Sequence, residues 1–72
     1  MIFYVVVIQV SKVGLLLNDS NTDDTALYGV IEAGDNLLVL TFKLEKKDKK
    51  FEKTIKSFWD KKYVKSWDTL IV

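Results

Sequence analysis

Asp19, Asn21 and Asp23 occupy alternate positions of one polar stretch, the spacing of the first three oxygen ligands in a helix–loop–helix calcium loop. The match ends there. Asp24 stands where such a loop turns on a glycine, and Val30 stands where a bidentate glutamate would close it. Residues 18–25 therefore read as a solvated turn and not as a dedicated metal site, since Asn, Asp and Ser side chains bond to their own backbone.

Other chemistry meets a shortage of reagents. The 72 residues contain no His and no Cys, which removes the usual neutral-pH general base, the thiolate nucleophile, disulfides and the common zinc sites. Ser11, Ser20, Ser57 and Ser66 lie in no nucleophile-elbow or lysine-dyad pattern. Glu32 and Glu45 fall on opposite arms of a hairpin, where strand carboxylates facing water account for both. Gly14, Gly29 and Gly34 are too scattered to cradle a phosphate. The expectation is a protein with no catalytic residues and no cofactor.

Lysine is the one abundant functional group. Residues 1–36 carry Lys12 against five carboxylates, a charge of −4, while residues 37–72 carry ten lysines against five carboxylates, a charge of +5. Lys46, Lys49, Lys50, Lys53, Lys56, Lys61 and Lys65, with Tyr63 and Trp67 among them, are the candidate nucleic-acid-binding set, able to track phosphates and stack on bases. Two facts weigh against it. The net charge is only +1, and every cation is Lys, with no Arg for bidentate recognition.

These side chains need elements to hold them. The segment "IFYVVVIQV" is dense in β-branched and aromatic residues and apolar on both faces, so it reads as a central strand. Its apolar run stops at Gln9, far short of a membrane span, and it lacks the basic start and cleavage site of a signal peptide; a cytoplasmic location is expected, with no membrane partner. "KVGLLL" is open between a short strand and a helix weakened by Gly14. "LYGVIEAGDNLLVLTFKLE" reads as a β-hairpin turning at Gly34-Asp35-Asn36. In its first arm Leu27, Gly29, Ile31 and Ala33 alternate with Tyr28, Val30 and Glu32. In its second arm Leu38, Leu40, Phe42 and Leu44 share one face, and Leu37, Val39, Thr41, Lys43 and Glu45 share the other.

The period then changes. From Asp48, a helix N-cap residue, Phe51, Ile55, Phe58 and Trp59 fall on one side of a helix, with Lys49, Lys53 and Lys56 opposite. An amphipathic helix over residues 48–63 and a last strand in "SWDTLIV" complete the chain. The fold class is α+β: a single domain over 1–72, with a small antiparallel or mixed sheet of four to five strands and one amphipathic helix on one face. It ends in a β-α-β crossover, whose two strands should run parallel. The element order resembles a split β-α-β, ferredoxin-like domain with a degenerate first helix. That resemblance is one of topology and brings no site residues with it.

One helix can cover one face of the sheet. Phe3, Val5, Val7, Leu37 and Val39 are left on the other, and they form the candidate protein-binding surface unless "VGLLL" folds over them. A chain this small, without disulfide or metal, commonly gains stability from a partner subunit. The expected function is that of a non-catalytic protein-interaction module, acting on another protein and forming a homodimer. Its size and lack of catalytic groups place it beside accessory inhibitors of the phage counter-defence type. Nucleic-acid binding through the lysine face is the alternative.

Overall fold

The computed structural model describes residues 1–19 and 26–72. Asn21, Asp23 and Asp24, and with them most of the calcium-like spacing, lie outside the described residues.

The opening apolar run forms β1 (Ile2–Gln9), whose side chains alternate between buried and half-buried. A single 3-10 turn over Val10–Lys12 leads into α1 (Val13–Asp19). The hairpin follows as β2 (Ala26–Gly34) and β3 (Leu37–Leu44), then α2 (Lys49–Asp60) and β4 (Val64–Ile71). The sheet has four strands in the order β2-β3-β1-β4, and every neighbouring pair is antiparallel. β3 and β4 both oppose β1, so they run in the same direction on either side of it, as a β-α-β crossover requires.

Both helices pack on one side of this sheet. Tyr4, Val6 and Ile8 from β1 and Leu40, Phe42 and Leu44 from β3 point to that side and are buried with Leu16 of α1 and Phe51, Ile55 and Phe58 of α2. Phe51 sits at the centre, meeting the Tyr4 and Phe42 rings edge-on at 5.1 and 5.0 Å between centroids. Such contacts add to the area term because ring edges are positive and ring faces negative.

The helix α2 is bounded by side-chain and backbone chemistry at both ends. Asp48 Oδ1 accepts the N–H groups of Lys50 at 2.9 Å and Phe51 at 3.1 Å, which satisfies two donors that the first turn cannot pair. At the far end Lys62 adopts φ 66°, and the Tyr63 and Lys62 N–H groups close on the Phe58 and Trp59 carbonyls. This pair of bonds is the Schellman arrangement, built here on a lysine where glycine is usual.

The structure corrects the sequence reading in four places. The helix spans residues 49–60, not 48–63, because the Schellman turn ends it three residues early. Trp59 does not join the core face and is half exposed, since it lies about 70° round the helix from the centre of the Phe51–Ile55–Phe58 stripe. A second helix exists: residues 13–19 are helical despite Gly14, because Leu16 is wholly buried among the side chains of α2 and the sheet. Finally, β2 does not alternate evenly. Its register on β3 shifts between Leu27 and Gly29 and again between Glu32 and Gly34. Leu27, opposite Phe42, thus falls on the helix side, and Gly29, opposite Thr41, falls on the other.

Candidate functional site

Because α1 follows α2 to the same side, "VGLLL" covers nothing on the opposite face of the sheet. That face is built row by row from the strand register, since residues directly opposite on antiparallel strands share a face. Val7 lies between Val39 and Ser66, with Ile31 beyond Val39. Val5 lies between Thr41 and Asp68, and Phe3 between Lys43 and Leu70. Leu37 stands opposite Gln9 at the end of the sheet. All five residues expected from the sequence, Phe3, Val5, Val7, Leu37 and Val39, are therefore brought together there, each half-buried by its neighbours and covered by neither described helix.

Three apolar residues join them that sequence reasoning did not place. Ile31 is 67% exposed and Leu70 59% exposed. Tyr28 is 65% exposed, and its ring meets Phe3 edge-on at 5.4 Å. The bulge beside Tyr28 puts it there, and no local pattern announces a bulge. On this face Lys43 of β3 and Asp68 of β4 lie on opposite sides of β1, and Lys65, in the β4 bulge between Val64 and Ser66, borders its Gln9 and Leu37 end. The Lys43 ammonium rests 5.5 Å from the Tyr28 ring centroid, an attraction worth about 0.5–1 kcal/mol at an exposed site.

The lysines are distributed around α2 and beyond it. Lys49, Lys53 and Lys56, with Glu52, line a shallow groove of about 380 Å³ against Trp67 of β4. Trp67 packs on the core, and its indole N–H is buried with no hydrogen-bond partner among the described residues. Lys50, Lys53 and Lys61 border the end of α1 near Asp19, while Lys46 stands with Lys47 to Lys50 at the start of α2. Lys65 lines a different hollow, with Gln9, Asp35, Asn36 and Leu37. Six of the seven candidate nucleic-acid-binding lysines thus line hollows along α2 that share Lys49, Lys50 and Lys53, and Lys65 lies apart from them.

Two further features bear on chemistry. The Tyr4 phenol donates to Glu52 Oε2 at 2.7 Å. Burial chiefly, and this hydrogen bond next, push its pKa up to about 12. Among the described residues no group of three or more carboxylate, imidazole or thiol side chains is placed to hold a metal ion, and no helix is long and apolar enough to cross a membrane. No protein family, no characterised protein and no solved structure matches this chain at a significant level.

Proposed function

We propose that this chain is a non-catalytic interaction module that docks on another protein through the open face of its sheet. The observation that carries the reading is that both helices pack on one side. Among the described residues Phe3, Val5, Val7, Leu37 and Val39 are thereby left without a cover, with Tyr28, Ile31 and Leu70 around them. Soluble monomers seldom present a contiguous apolar patch beyond a few hundred Å². Small size, no His and no Cys further support a role exerted by occupying a surface, as accessory inhibitors of the phage counter-defence type do. The strand order, with one helix after β1 and another after β3, supports the ferredoxin-like reading of the fold.

A photo-crosslinking side chain at Val39, compared with one at Lys53, tests the proposal in cells. Adducts to protein are expected from Val39 and not from Lys53. Adducts to nucleic acid from Lys53, with none to protein from Val39, favour the second reading, nucleic-acid binding at the groove where Lys49, Lys53 and Lys56 meet Trp67.

A further inference from the structure

The open face carries Lys43 and Asp68 in a self-complementary layout on the two sides of β1, and from this we infer that a second copy of the chain covers its β3, β1 and β4 strands, face to face about a two-fold axis running along β1. The inference rests on the proposed docking face and names its first occupant.

Lys43 flanks β1 on one side in the row of Phe3, and Asp68 flanks it on the other in the row of Val5. A two-fold axis along β1 exchanges the two sides, so each Lys43 comes to lie over the partner's β4. It stands there above Leu70, with Asp68 two residues away, about 7 Å along the strand. A lysine side chain spans that distance. The symmetry repeats the pair, giving two Lys43–Asp68 contacts per dimer, as a two-fold interface must. Between them Phe3, Val5 and Val7 of the two copies meet along the axis, flanked by Val39 and Leu37. Sheets packed in this way stay aligned within about 30° and sit about 10 Å apart, which suits side chains of this size.

The axis also fixes which strands meet. About an axis along β1 the strands β3, β1 and β4 of the two copies overlap, a face of about 15 by 27 Å per protomer, and both β2 strands lie outside it. Edge-to-edge association through β2 is disfavoured, since two bulges interrupt that edge and break a flat hydrogen-bonding template. Moving Lys43 from Tyr28 to the partner's carboxylate gives up only the exposed cation–π contact.

Light scattering coupled to size exclusion, at micromolar concentration, provides the test. The wild type is expected at twice 8.3 kDa. Lys43→Glu sets a carboxylate against the partner's Asp68 twice per dimer, and Asp68→Lys sets an ammonium against the partner's Lys43 twice per dimer. Each variant alone should raise the dimer dissociation constant about tenfold or more. Mixed in equal amounts, the two variants restore both opposite-charge contacts and should form a heterodimer, which contacts within one chain cannot produce. Should Asp68→Lys melt at a lower temperature than the wild type, Leu70→Lys serves as the positive partner in the same mixing experiment. Single variants that remain dimeric, or a mixture that remains monomeric, would overturn the inference. A monomeric wild type that still crosslinks from Val39 to a foreign protein overturns the second-copy assignment alone. A monomeric wild type with no crosslink overturns the docking face as well.

Discussion

Tyr4 and Glu52 are joined by a 2.7 Å hydrogen bond that ties the central strand β1 to the first turns of α2. The tyrosine is buried and the carboxylate is half-buried, so the bond fixes how far α2 lies along the sheet. Its linkage to pH has a definite sign. The phenol's folded-state pKa, about 12, lies above the unfolded value near 10. The associated stability is fully present below pH 10 and is lost as pH rises toward 12. Two pKa units correspond to about 2–3 kcal/mol. Urea melts between pH 8 and 12 should therefore show a decline in the wild type that is absent in Tyr4→Phe, which at neutral pH should lose only about 1 kcal/mol.

Phe58 and Trp59 are adjacent, and only one is structural. Phe58→Ala removes a buried ring at 4% exposure and should cost about 3–5 kcal/mol, comparable to the whole stability of a domain this small. Trp59→Ala, at 51% exposure, should cost under about 1 kcal/mol. Thermal melts followed by circular dichroism distinguish the two. A cooperative, wild-type-like melt for Phe58→Ala would contradict the assigned core.

The hairpin turn depends on backbone conformation and not on room. Gly34 has φ +127°, yet a Cβ built there meets nothing within 4 Å. Gly34→Ala should accordingly destabilise by about 1 kcal/mol or more through strain alone. Asn36, at φ 61°, should accept glycine with little change in chemical denaturation midpoint.

Charge reversal at Lys49, Lys53 and Lys56 should leave the fold intact, because all three side chains are exposed. Under the proposed function it should also leave the crosslinks from Val39 unchanged. Titration with single-stranded nucleic acid at two salt concentrations checks the alternative. Binding that weakens with a logarithmic slope of about −0.7 per phosphate contact, and disappears in the triple variant, would transfer the function to the lysine face.

Some of this molecule is written in short stretches of its sequence. The strand character of residues 2–9, the turn at Gly34-Asp35-Asn36, the N-cap at Asp48 and the two faces of β3 all follow from interactions within a few residues. So did the five apolar residues of the open face, because a period of two assigns Phe3, Val5, Val7, Leu37 and Val39 to common sides. What covers each side is a long-range matter. Leu16 makes α1 a helix by filling a gap beside α2, against the weak propensity of a segment with Gly14. The bulge beside Tyr28 sets that ring against Phe3, and the register of β4 on β1 sets Asp68 across from Lys43. These placements depend on pairing between residues up to sixty-odd positions apart. Local periodicity assigns a side chain to a face, but only the assembled sheet decides which face is covered and which neighbours share it.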